Sequence, residues 1–291
     1  MKVKTKRRPV TVNSVFHRAD CLEWMRTYRK LIADQGAQPF NLVFGSPPYE
    51  DARTYDMGFK LKGEEWVSWM VKIVRASLAV CDGLVAFVMR GRTRKFRYSC
   101  TPELLIADLP RAGVHVRESP LYERVGIPGS GGPDWLANRY EKIVCCTNGG
   151  RLPWSDNVAM GHPPKRPPGG NPSHRTRDGG RANSGGNNRK SDGSRDSKRY
   201  VPPKKANPGN IIRGTVGGGA MGDIIAHENE APFPEWLAEF FIRSFCRPGG
   251  WVLDPFSGSG TTVAVARKWG RNGVGLDIRK TQIELGERRC Q

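Results

Sequence analysis

Residues 251–277, WVLDPFSGSGTTVAVARKWGRNGVGLD, constrain the fold more than any other stretch of this chain. One apolar run ends at Asp254, a turn carries Gly258 and Gly260, an amphipathic segment opens near Thr261, and a second apolar run ends at Asp277. Strand, glycine turn, helix and strand form the repeating unit of a parallel sheet. The same alternation runs upstream. SVFH reads as a strand, and CLEWMRTYRKLIAD as a helix with Leu22, Met25 and Leu31 towards one face. NLVFG is the next strand, and EEWVSWMVKIVRASL is a helix with its glutamates at the N-terminal end, where the macrodipole favours them. GLVAFVM is apolar almost throughout, as a strand covered on both faces must be. TPELLIADLPRAG reads as a helix with Thr101 at its N-cap and Gly113 as its stop. VHVRESPLYERV and YEKIVCCT read as two strands, and PFPEWLAEFFIRSFCRPGG as a helix with Pro near its start and Gly past its end. The fold class is α/β, a doubly wound, mostly parallel sheet.

Between about 150 and 222 the pattern stops. GHPPKRPPGGNPSHRTRDGGRANSGGNNRKSDGSRDSKRY has almost no apolar periodicity and a marked excess of Lys and Arg. Its composition is that of a long, irregular insertion. The whole chain of 291 residues carries a net charge of +19, a surplus that favours a polyanionic partner, most simply nucleic acid. The seven cysteines make no C-x-x-C pair and no metal-finger spacing with the five histidines, so no metal site is expected. Most of them lie in apolar stretches, as small core residues do in a reducing compartment. The basic N-terminus lacks an apolar segment behind it, and no run reaches the length of a membrane span. These features predict a soluble, cytoplasmic, DNA-associated protein that does not engage a membrane.

Two motifs carry chemistry. In DPFSGSGTT the glycines let a ligand approach the backbone at a helix N-terminus. No Lys follows the last glycine, so this is not a phosphate-cradling P-loop. Asp254 before the turn repels a pyrophosphate but suits an ammonium group, and Asp277 suits a ribose diol. S-adenosylmethionine, a nucleoside with an amino acid tail, answers to both. The second motif is SPPY, residues 46–49, at the end of the NLVFG strand. Two prolines fix the turn, which can aim the Ser46 hydroxyl and main-chain carbonyls at one point. A planar exocyclic amino group needs acceptors arranged in this way, and Tyr49 can stack on the ring that bears it. Holding the amino protons out of plane aims the nitrogen lone pair at an electrophilic methyl, a matter of orientation and electrostatics. Such a base must first leave the duplex.

With SPPY first, a basic insertion next and DPFSGSGTT last, the chain resembles the amino-directed DNA methyltransferases of the permuted beta group, from about residue 14 to 289 outside the insertion. The resemblance implies a methyltransferase domain split into a catalytic half, 1–149, and a cofactor half, 223–291, around a target-recognition insertion, 150–222. It implies catalytic roles for Ser46, Pro47, Pro48 and Tyr49. S-adenosylmethionine would be held by Asp254, Pro255, Phe256, Ser257, Gly258, Ser259, Gly260, Thr261, Thr262 and Asp277. Asp20 resembles the acid that receives the cofactor's adenine amino group, although Ala19 stands where the family usually has Gly. Pro232 and Phe233 in HENEAPFPEWL resemble the segment that closes over the methionine end. WLANRYEKIV resembles the element beside the flipped base, with Trp135, Asn138 and Tyr140 as further candidates. Lys165, Arg166, Arg175, Arg177, Arg181, Arg189, Lys190, Lys204 and Lys205 are the candidate DNA contacts. The implied partners are double-stranded DNA and, in a restriction-modification pair, a cognate restriction endonuclease. Oligomeric state is not legible.

The chain contains no Pro-Cys dipeptide, so attack on cytosine carbon-6 has no obvious thiol. Ser at the first motif position resembles enzymes that make N4-methylcytosine, where Asp or Asn resembles those that make N6-methyladenine. Cytosine N4 is therefore the expected target, with adenine N6 as the alternative. A non-catalytic DNA-binding protein on the same fold is the reading from another class. Methylation of a protein glutamine amide ranks lower, because that motif begins with Asn in the unpermuted order.

Overall fold

The computed structural model describes residues 12–50, 58–126, 131–164, 173–183, 204–216, 221–228 and 232–291. Two compact units emerge, Met1–Met160 with Gly209–Gln291, and Gly161–Pro208.

The larger unit is built on a nine-stranded sheet. In chain order its elements begin β1 (Ser14–Arg18), α1 (Cys21–Gln35), β2 (Phe40–Gly45), α2 (Gly63–Leu78) and β3 (Cys81–Met89). A short hairpin follows, β4 (Thr93–Arg94) and β5 (Arg97–Tyr98), then α3 (Thr101–Arg111), β6 (His115–Arg117), β7 (Leu121–Val125) and β8 (Tyr140–Thr147). The smaller unit contributes β9 (Ser173–Arg175) and β10 (Arg181–Asn183). The larger unit resumes with β11 (Ile211–Thr215), α4 (Glu235–Phe245), β12 (Trp251–Asp254), α5 (Thr261–Lys268), β13 (Asn272–Asp277) and α6 (Lys280–Arg289).

The sheet order is β1-β13-β12-β2-β3-β8-β7-β11, with β6 also on β8. From β1 to β3 every pair is parallel. β8 runs antiparallel to β3, β6 and β7, and β11 is parallel to β7. From β2 the chain moves to β3 on one side, and from β12 it moves to β13 on the other. The sheet therefore has its switch point between β2 and β12, where Leu42 faces Val252 and Val43 faces Leu253. Ligands of open α/β sheets bind at the carboxyl ends beside such a point.

Alternating side chains fill both faces. Val85, Phe87 and Met89 of β3 join Trp66, Met70, Ile73 and Leu105 in one buried cluster, while Leu84, Ala86 and Val88 join Leu237, Phe241 and Ile242 in the other. Each fully buried side chain of this size contributes about 1.5–3 kcal/mol. Two-sided burial is why GLVAFVM shows no polar alternation.

Three local readings differ from the structure. Cys100, not Thr101, is the N-cap of α3, in the left-handed region at φ 56°. The Thr101 hydroxyl instead donates to Glu50 Oε1 at 2.9 Å. VHVRESPLYERV is two strands, both on β8, with the break at Ser119 and Pro120. Inside the irregular insertion β9 and β10 pair antiparallel across TRDGG, where the Thr176 amide donates to the Gly180 carbonyl. Among the described residues no helix is long and apolar enough to cross a membrane.

At the switch point Gly45 packs flat against the Asp254 carboxyl, and an added Cβ there would overlap Asp254 Oδ1. Gly45→Ala is expected to cost about 2 kcal/mol in urea unfolding. Combining it with Asp254→Ala should recover part of that loss, giving a non-additive double-mutant cycle.

Candidate active site

A cavity of about 460 Å³ opens at the carboxyl ends of β2 and β12. Ser46, Pro47, Pro48 and Tyr49 line it from the β2 side, and Pro255, Phe256, Ser257, Gly258 and Thr261 from the β12 side. The two sequence motifs, separated by most of the chain, thus share one chamber. Asp20, Asp277 and the Pro232–Phe233–Pro234 segment complete that wall.

The SPPY turn is fixed by bonds to three other elements. Trp66 of α2 donates its indole N–H to the Pro48 carbonyl at 2.9 Å. Glu50, buried just behind the turn, accepts from the Gly63 amide at 3.1 Å and from Thr101, tying the N-termini of α2 and α3 to it. The Ser46 hydroxyl has two acceptors for its proton, the Val88 carbonyl of β3 at 3.2 Å and the Tyr49 hydroxyl at 3.5 Å. With its proton directed to either, Ser46 Oγ is left with lone pairs as an acceptor. The Tyr49 hydroxyl donates to Glu141 Oε2 at 2.8 Å, and Arg124 Nη1 lies 3.4 Å from Glu141 Oε1.

Glu141, Arg124 and Tyr122 all line the cavity, and sequence reasoning missed them. They come from β8 and β7: the antiparallel pairing of β8 with β3, itself beside β2, brings Glu141 to Tyr49, and the pairing of β7 with β8 sets Tyr122 opposite Glu141. The one available signal was a glutamate within the apolar YEKIV run. Trp135, Asn138 and Tyr140 lie outside the cavity lining. Asn138 serves instead as a backbone anchor, its carbonyl accepting from Arg124 Nη2 at 3.2 Å.

On the other side, β1 pairs with β13 so that Arg18 faces Asp277, which brings Asp20 to the same wall. Asp20 caps α1, accepting from the Glu23 amide at 3.0 Å. Asp277 accepts from the Gly258 amide at 3.2 Å and from the Arg279 amide at 2.9 Å. Gly258 and Gly260 have φ 48° and 77°, in the left-handed region that favours glycine, and Gly260 opens α5. Asp254, Ser259, Gly260 and Thr262 do not line the cavity but stand behind its wall. Asp254 is fully buried, and burial pushes its carboxyl up to about 7. Its Oδ1 accepts from the Phe256 amide at 3.0 Å.

Asp254 Oδ2 and Ser257 Oγ are buried with no hydrogen-bond partner among the described residues. Leaving such groups unmatched costs about 1–3 kcal/mol each. Of the two, only Ser257 lines the cavity, where a polar ligand group could meet it, and the acids Asp20 and Asp277 fit a nucleoside. Cys21 also lines the cavity, but burial pushes its thiol up to about 12, which leaves it a poor nucleophile. Among the described residues no three His, Cys, Asp or Glu side chains converge as a metal site requires.

Of the candidate DNA contacts, Arg175, Arg177, Arg181, Lys204 and Lys205 fall in the described part of the smaller unit, Arg175 and Arg181 facing each other across the hairpin. Lys165, Arg166, Arg189 and Lys190 lie outside the described residues.

The model of the N6/N4 DNA methylase family, described as DNA methylase, matches residues 40–288. The orphan methyltransferase M.BamHII of Bacillus amyloliquefaciens is 27% identical over 257 residues, covering 86% of this chain and 88% of its own. Among solved structures, the PvuII DNA methyltransferase (cytosine-N4-specific) superposes with a TM-score of 0.65 at 17% identity, over 98% of this chain and 90% of that one. The M1.HpyAVI–SAM complex superposes with a TM-score of 0.53 at 14% identity, over 95% and 98%.

The raised carboxyl of Asp254 has a thermodynamic consequence. Its folded value, about 7, lies above the ordinary 3.8, so the folded state binds more protons than the unfolded state between those limits. The stability this group supports is therefore complete at low pH and lost as pH rises towards 7. Asp254→Asn should gain stability relative to wild type progressively across that window, as read by urea unfolding at several pH values.

Proposed function

This chain belongs to the N6/N4 DNA methylase family, and from that membership we propose that it moves a methyl group from S-adenosylmethionine to the exocyclic amino group of a flipped DNA base, cytosine N4. The observation that carries the reading is the Ser46 hydroxyl, whose proton has acceptors in Val88 and Tyr49 and whose lone pairs remain for an amino donor. The Pro48 carbonyl is committed to Trp66, so the second acceptor is the carbonyl of Pro47. Tyr49, clamped by Glu141, presents its ring to the base as a stacking surface. Two fixed acceptors hold the amino protons away from the ring plane and turn the nitrogen lone pair towards the donor side of the cavity.

S-adenosylmethionine supplies an electrophilic methyl on a sulfonium. Asp277 and Asp20 would hold its nucleoside, Ser257 its amino acid end, and Pro232 and Phe233 would cover that end. Pro255, Phe256, Gly258 and Thr261 form the wall between. Asp254, Ser259, Gly260 and Thr262 support the turn from behind, Thr262 by donating to the Phe44 carbonyl at 3.4 Å.

Cytosine rather than adenine is favoured by Ser at the first motif position and by the name of the PvuII neighbour. Double-stranded DNA is the partner, reached through Arg175, Arg177, Arg181, Lys204 and Lys205 and through Lys165, Arg166, Arg189 and Lys190. A cognate restriction endonuclease is the second partner that this activity admits.

Product identity tests the proposal. The purified protein is incubated with unmethylated plasmid and S-adenosylmethionine, and the digested nucleosides are assayed by mass spectrometry. N4-methylcytosine is expected, with Ser46→Ala slower by about a hundredfold or more. N6-methyladenine would move the target to adenine, and absence of any methylated base would leave a DNA-binding protein on this fold.

A further inference from the structure

The hairpin that continues β3 beyond the cavity has a composition the methyl-transfer site does not explain. Arg90–Arg97, RGRTRKFR, carries five cations in eight residues and no acid. β4 and β5 pair Thr93 with Tyr98 and Arg94 with Arg97, and the chain reverses at Lys95 and Phe96. Both have positive φ, 45° and 62°, the conformation of the tight turns that close two-residue hairpins, normally held by Asn or Gly. A bulky aromatic at such a position is unusual.

The hairpin is well braced. The Ser99 amide donates to the Arg92 carbonyl at 2.9 Å, the Arg92 amide donates to Ser99 Oγ at 3.0 Å, and the Tyr98 hydroxyl donates to Glu103 Oε2 at 3.2 Å. Phe96 is consequently held out at the tip, 70% exposed, in a T-shaped contact with Trp135 at 5.5 Å between centroids. Leu136, next to Trp135, is 93% exposed.

Both arms of this apolar tip are tied to the cavity. β3 delivers the Val88 carbonyl to Ser46 two residues before the cationic run begins. The Trp135 segment is held by Arg124, which lines the cavity, donates its amide to the Arg139 carbonyl at 2.8 Å and bonds Asn138 through its side chain. An exposed aromatic tip flanked by cations, on a hairpin that continues a strand bonded to the cavity lining, matches duplex DNA in both respects. Phosphates meet the cations, and the ring meets the gap that a departing base leaves in the stack.

On the reading of the site as a DNA amino-methyltransferase, we propose that the β4–β5 hairpin is a DNA wedge. Arg94, Lys95 and Arg97 hold phosphates flanking the target, and Phe96 enters the base stack as the target nucleotide leaves it.

Two variants separate the parts. Binding of a fluorescently labelled plasmid-derived duplex is followed by anisotropy across a salt series, and methylation of the same DNA by mass spectrometry. The triple variant R94A/K95A/R97A should lower the log–log salt slope by about 2.7, three phosphate contacts' worth. Phe96→Ala should keep the wild-type slope yet methylate duplex at least about tenfold more slowly, a loss corresponding to weakened flipping, and Phe96→Trp should restore the rate. An unchanged slope in the triple variant overturns the phosphate contacts. A wild-type rate in Phe96→Ala, or a Phe96→Trp variant as slow as Phe96→Ala, overturns the wedge. A wild-type protein that binds duplex but makes no methylated base overturns the activity reading and the wedge with it, while the slope still judges the phosphate contacts.

Discussion

Everything the site does depends on the pairing of β2 with β12. Two strands from opposite ends of the chain lie side by side at the switch point, with Leu42 opposite Val252 and Val43 opposite Leu253. Each ends in a turn of restricted geometry, one through Pro47 and Pro48 and the other through Gly258 and Gly260. Hydrophobic burial on both faces of the sheet holds the pairing, since Leu42 and Val43 are fully buried on opposite sides. The close approach of Gly45 to Asp254 is a direct result, and it fixes how near the two turns come.

The second dependence is on hydrogen bonds already made. The SPPY turn has a partner for its Pro48 carbonyl in Trp66, for its Ser46 proton in Val88 or Tyr49, and for its Tyr49 hydroxyl in Glu141. Glu50 adds the N-termini of two helices to the same support. Side chains committed in this way need no reorganisation when a substrate arrives, which is where polar catalytic sites gain most. On the β12 side Ser257, which lines the cavity, has its Oγ without a hydrogen-bond partner among the described residues. One half of the chamber is thus satisfied and rigid, and the other keeps a polar atom for a ligand.

Much of this was legible in the sequence, for physical reasons. Apolar runs such as GLVAFVM must be covered on two faces, and the order of strands and helices followed from them. The residues of both motifs that line the cavity could be named because glycine and proline write backbone geometry into local sequence. What could not be read was tertiary. Glu141 meets Tyr49 only because β8 pairs antiparallel with β3, the neighbour of β2, and nothing local to YEKIV announces it. Thr101 looked like a cap because its hydroxyl suits that role, but Glu50 claims the hydroxyl from fifty-one residues away. VHVRESPLYERV broke at Pro120, which has no amide to donate, while its carbonyl accepts from Ile143 and keeps both halves on β8. The hairpin within the insertion was hidden by composition, although its Asp-Gly-Gly turn was in plain view.

If the two turns form one reaction chamber, the methyl donor sits on the β12 side facing the SPPY acceptors. A crystal structure with S-adenosylhomocysteine tests this most directly. The nucleoside should lie against Asp277 and Asp20, with the thioether sulfur turned towards Ser46 and Pro47, leaving room between them for a methyl and a nitrogen roughly 3–3.5 Å apart. A ligand seated away from the β2–β12 switch point, or with its sulfur turned from the SPPY turn, would contradict the account.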